Sequence, residues 1–237
     1  MTIAMRAGVT AIAAAALAIG LSACGSDSAG DQPSASEAST TSESAAAGTE
    51  SSSAAPTSAP PAAGPGMTID QYVKDNGIVA TPVLRGEPGA PTINLPLPQG
   101  WDVAGSATPP GAYDAIIYTA PPPSPNPPTI VARVTKLSGN VDPAKIIEYA
   151  PNETRNLPGF QGAETGEKSS LSGFDATQIG GFYTKDGINR LMAQKTVVIP
   201  SQGGLFVLKI TADGTEDLAI QMMEATAAID EQATITP

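Results

Sequence analysis

Between Gly25 and Gly66 the chain runs for 42 residues without a single Val, Ile, Leu, Met, aromatic, Lys or Arg. Ser, Ala, Thr, Pro and Gly dominate, with five acids at Asp27, Asp31, Glu37, Glu43 and Glu50. Such a segment has no apolar surface with which to offset the entropy of ordering it, so it is predicted to stay disordered. As a flexible coil it would span on the order of 35 Å root-mean-square, more if Pro and charge stiffen it. A fold is therefore confined to the C-terminal side of this segment, and from Met67 the composition changes abruptly. The reading is a tether over 24–66 and one globular domain over 67–237. Ser, Thr and Pro also leave the tether open to O-glycosylation.

The residues before the tether read as a bacterial lipoprotein signal. Arg6 supplies a positive start, and Ala7 to Ala23 is uncharged and rich in Ala, Ile and Leu. Seventeen weakly apolar residues suit a signal peptide over 1–23 better than a permanent span. Leu21-Ser22-Ala23-Cys24 has the form of a lipobox: Leu21, Ser22 and Ala23 present a small-residue approach for the peptidase, and Cys24 offers the thiol to be acylated. Cys24 is also the one cysteine of the chain. The expectation is a diacylglycerol anchor at Cys24, with palmitate among its acyl groups, on the extracytoplasmic face of the cell membrane. A cysteine spent on lipid leaves none for a disulfide, so the domain must stand on its core. After residue 23 the chain keeps 11 of 12 basic and all 23 acidic residues, a net charge of −12. That balance excludes nucleic acid as a partner, because phosphate binding needs clustered Lys and Arg. It also opposes anionic lipid head groups, leaving attachment to the acyl chains.

The folded part opens with Thr68-Ile69-Asp70-Gln71, a capping box that predicts a short helix over 69–76 with Gly77 as its stop. Thr92 to Leu97 alternates like an edge strand, and Trp101 is expected to anchor the core beside it. Tyr113 to Thr119 and Thr129 to Leu137 read as strands, joined by a Pro-rich stretch over 121–128 that suits an extended connector or, alternatively, a docking segment. Asp142 and Pro143 read as N-cap and first position of a second helix, with Pro151 ending it. After a turn over 157–162, strands are predicted for Glu164 to Leu171 and Phe174 to Lys185. Asp186-Gly187 is the strongest hairpin signal in the chain, returning it through Asn189 to Pro200. Ser201 to Gly204 turns it again into Leu205 to Ile210, apolar enough to be central. Thr215 is expected to cap a last helix, Glu216 and Asp217 to fill its first turn, and Leu218, Met222, Ala225 and Ile229 to form its apolar stripe. The fold class is α+β, an antiparallel sheet with helices packed on it.

The chemistry available is thin. No histidine is present, which removes Ser-His-Asp hydrolysis, Cys-His nucleophiles and imidazole metal sites. With Cys24 committed there is no thiolate or Cys-based zinc chemistry either. Carboxylate pairs, Ser-Lys dyads and Tyr remain. Glu164 and Glu167 beside Lys168 read as a solvated strand, and Asp213, Glu216 and Asp217 as a capping arrangement. Gly180-Gly181 and Gly203-Gly204 have no helix after them and so make no phosphate loop. No catalytic residue, metal site or cofactor is assigned. A binding module fits better, since a groove between sheet and helices can be lined by apolar helix residues. Met192, Met222 and Met223 are the candidate lining for an acyl-chain cavity, with ordinary core packing as the alternative.

Several longer blocks carry a family resemblance. They are Asp75-Asn76, Thr81-Pro82-Val83, Gly89 to Ile93, Asp142 to Lys145, Asn156 to Gly162, Ala193 to Gly203 and Ile229 to Gln232. Across nearly all of 67–237 the chain resembles the LpqN family of mycobacterial and related actinobacterial lipoproteins, whose front end also looks like the lipobox and tether here. The resemblance implies a PsbP-like α/β sandwich. It further implies a non-enzymatic role in cell-envelope biogenesis beside MmpL-type lipid exporters, with acylated trehalose as the ligand class. The alternative is a protein-interaction scaffold or surface antigen with no small ligand.

Overall fold

The computed structural model describes residues 66–202 and 204–237. The signal peptide, the lipobox with Cys24 and the tether up to residue 65 lie outside the described residues. Helix α1 spans Ile69–Asp75, and both halves of its capping box are present: Thr68 Oγ1 accepts from the Gln71 amide, and Gln71 Oε1 accepts from the Thr68 amide. Gly77 follows at φ +62°, where a side chain would be strained.

The strands are β1 (Val79–Val83), β2 (Thr92–Asn94), β3 (Trp101–Val103), β4 (Asp114–Tyr118), β5 (Thr129–Ser138), β6 (Gln161–Gly162), β7 (Glu167–Leu171), β8 (Phe174–Lys185), β9 (Ile188–Ser201), β10 (Gly204–Thr215) and β11 (Thr234–Thr236). Helices α2 (Pro143–Arg155) and α3 (Ala219–Gln232) complete the fold. Nine strands form one antiparallel sheet in the order β3-β4-β5-β10-β9-β8-β6, with β1 on β5 and β7 on β8; β11 pairs with β2 as a separate ribbon.

Both sheet faces are covered, which is why Val197 to Ile199 of β9 and Leu205 to Leu208 of β10 read as continuous apolar runs. Val197, Ile199, Phe206, Leu208 and Ile210 face the core under α3, with Met222, Ala225 and Ile229. Val198, Leu205 and Val207 face the opposite core, under α1 and α2, with Ile69, Tyr72, Ile146 and Ala150. One tight turn sets the register of β8 on β9. Asp186 and Gly187 both take positive φ, the type I′ pattern that matches strand twist, and they pair Lys185 with Ile188. Trp101 is buried in the α3-side core as anticipated, its ring edge-on to Tyr118 at 5.7 Å.

Several details differ from the sequence reading. Pro151 does not end α2; it lies inside the helix, buried against Gly166, and the helix runs on to Arg155. Burying the ring outweighs the one backbone hydrogen bond it removes. Gln161-Gly162, read as turn, pairs with β8, and the following strand starts at Glu167 rather than Glu164. The strand from Thr92 stops at Asn94, before Pro96 and Pro98. Thr215 makes no side-chain cap: Glu216–Leu218 form a 3₁₀ turn, and α3 begins at Ala219. Asp213 belongs to no capping group either. Its position on β10 brings it to Arg190 and Tyr183, with Arg190 Nε donating to Asp213 Oδ1 at 2.7 Å and the Tyr183 hydroxyl donating to Oδ2. Burial, then the Asp213 carboxylate, pushes the Tyr183 phenol up to about 12.

Candidate functional site

Strand register builds a trough on the α3 side of the sheet. Pairing sets Gly180, Ala193 and Ala212 abreast on β8, β9 and β10, and one row further Gln178, Lys195 and Ile210 abreast. The first row has almost no side-chain volume, so the layer above cannot close down onto it. α3 supplies one wall through Thr226, Ile229 and Asp230, and the link from β6 into β7 supplies the other through Ala163, Thr165 and Glu167. The resulting cleft holds about 290 Å³, at the lower end of the roughly 300–1,000 Å³ of small-molecule sites.

Its floor is apolar and its rim polar. Lys195 Nζ donates to Asp230 Oδ1 at 2.6 Å and to Ser169 Oγ at 3.0 Å, tying β9 to α3 and β7 across the trough. The lysine side chain is 10% exposed and that of Asp230 42%, which puts the pair at the mouth. Gln178 Nε2 donates to Glu167 Oε2 at 3.2 Å on the same rim. Ser169 and Lys195 have the composition of an acyl-transfer dyad. Here the lysine is shared between the serine hydroxyl and the Asp230 carboxylate, which ties the pair into the polar rim of the cleft.

The three methionines do not meet here. Met192 is on the opposite face of β9 from Ala193 and Lys195, with its sulfur 4.0 Å from Thr154 Oγ1 of α2. Met222 is buried in the α3-side core against Gly214, where an added Cβ would lie 2.6 Å from its sulfur. Met223 is 63% exposed. The two-residue strand period and the 3.6-residue helix period separate them, and none lines the cleft. A wider cleft of about 470 Å³ flanks the other side of α3, between Gln221 and Glu224 and the Leu97–Trp101 segment. The residues that sequence reasoning missed, Gly180, Ala193, Lys195 and Ala212, come together only through strand register, although the Asp186-Gly187 turn already implied the first pairing.

The family described as "Probable lipoprotein LpqN" matches residues 65–236. The chain is 51% identical over 175 residues to "Lipoprotein LpqN" of Mycobacterium tuberculosis, covering 74% of this chain and 76% of that protein. Among solved structures it is similar to that of "LpqN involved in cell envelope biogenesis of Mycobacterium tuberculosis", with a TM-score of 0.69 and 50% identity over 73% of this chain and all of the other.

Proposed function

We propose, starting from the fact that this chain belongs to the LpqN lipoprotein family, that it is a non-enzymatic lipid-binding accessory in cell-envelope biogenesis. Cys24 holds it on the extracytoplasmic face of the membrane, and the ligand is an acylated trehalose-type glycolipid, offered to or received from an MmpL-type exporter. The observation that carries the ligand reading is the small-residue trough under α3. Gly180, Ala193, Ala212, Ile210 and Ile229 give an alkyl segment an apolar bed, while the rim presents Gln178, Thr226, Asp230, Glu167 and Lys195. Two carboxylates against one ammonium oppose an anionic head. A neutral head rich in hydroxyls can donate to both carboxylates, which suits a sugar.

The test is titration of residues 67–237, which contain both hydrophobic cores, with trehalose monoesters of increasing chain length. Affinity should rise by about 0.8 kcal/mol for each methylene buried and level off once the cleft is full. Absence of binding, or affinity indifferent to chain length, contradicts an acyl site.

A further inference from the structure

We infer that Lys195 is the specificity-determining residue of this cleft, donating to the ester carbonyl at the junction between an acyl chain in the trough and a neutral head at its rim. The inference rests on the cleft being an acyl site and adds which residue reads the ester linkage. Three observations place the carbonyl there. Lys195 is one pairing row from Gly180, Ala193 and Ala212, so its stem borders the apolar bed while its ammonium lies at the mouth. An ammonium carries three donors; two go to Asp230 and Ser169, which leaves the third for a ligand in the cleft that Lys195 lines. Lys195 is also the one cation among the lining residues. Asp230 keeps that charge compensated while the third donor is engaged. A neutral carbonyl therefore accepts without adding negative charge beside Asp230 and Glu167. An ether oxygen at the same junction is a poorer acceptor, and an alkyl chain linked that way loses the charge-assisted bond.

The experiment compares two ligands alike in sugar and chain, 6-O-dodecanoyl glucose and 6-O-dodecyl glucose, titrated below their aggregation threshold into the full-length protein. The ester should bind about tenfold tighter or better, as a hydrogen bond to a charged donor provides. In Lys195→Met the ratio of the two affinities should fall to near one. Ser169→Ala, which frees the donor now given to Ser169 and leaves the lysine and its Asp230 partner in place, should keep or raise it. Because the readout is a ratio, a general weakening of the variant fold leaves it interpretable. Equal binding of ester and ether by the wild type, or a preference that survives Lys195→Met, overturns the role of Lys195 while leaving the acyl cleft standing. Binding of neither ligand overturns the cleft reading itself.

Discussion

Ala193→Phe should weaken glycolipid binding roughly a hundredfold while leaving the domain folded. Ala193 is half-buried on β9, in register with Gly180 on one side and Ala212 on the other, so a ring there rises into the trough rather than into packed core. Each methylene kept out of the cleft forfeits about 0.8 kcal/mol. Excluding four costs about 3 kcal/mol, or roughly a hundredfold in affinity. The ring enters a cleft open to solvent rather than a packed interior, so the urea midpoint should move by no more than the equivalent of about 1 kcal/mol. Met223→Ala is the matching control: that side chain is 63% exposed on the outer face of α3, and its removal should change neither binding nor stability. Isothermal titration and urea denaturation of both variants settle the comparison.

The largest effect on stability from a single polar substitution is expected at Asp213. Its carboxylate takes hydrogen bonds from Arg190 and Tyr183, with the Arg190 and Asp213 side chains only 15% and 18% exposed. Asp213→Ala strands the guanidinium in a largely dry site. Breaking a fully buried pair costs about 3–5 kcal/mol, and the residual hydration here lowers that to about 2–3 kcal/mol. The melting temperature should drop by about 5–10 °C, and Arg190→Met in the same chain should restore much of it. The cluster also sets an alkaline limit. The Tyr183 phenol is pushed up from 10.0 to about 12 by burial and by Asp213, so the fold favours its neutral form. That contribution is complete below about pH 10 and is lost as pH rises through about 12. The difference in unfolding free energy between wild type and Tyr183→Phe, followed by urea denaturation, should shrink across that window. A difference that stays constant with pH contradicts the assignment.

The sequence carried the helix starts and the β8–β9 hairpin because the relevant signals are local, whereas the short strands β1, β3 and β11 were not read from it. Thr68 with Gln71, Asp142 with Pro143 and Asp186-Gly187 each set a backbone geometry within four residues, and each reappears in the structure. Where the reading failed, a distant contact decided. Pro151 stays helical because Gly166 gives its ring a buried seat, and Asp213 leaves the helix start because β9 brings Arg190 to it. Gly180 with Ala193 can be counted outward from the Asp186-Gly187 turn, but what lies above that row depends on where α3 docks. Helical spacing of Met222, Ala225 and Ile229 gives the face that docks and not its position over the sheet. The methionines drew attention for their chemistry, whereas the cleft is made by residues with almost no side chain, which composition does not flag.

The most direct test of the α3 cleft as the ligand site is to map amide chemical shifts of residues 67–237 on titration with a trehalose monoester. The changes should concentrate at Gly180, Ala193, Lys195, Ala212, Thr226 and Asp230 and saturate together. Changes centred instead on Leu97, Trp101 and Gln221, on the other flank of α3, would contradict it.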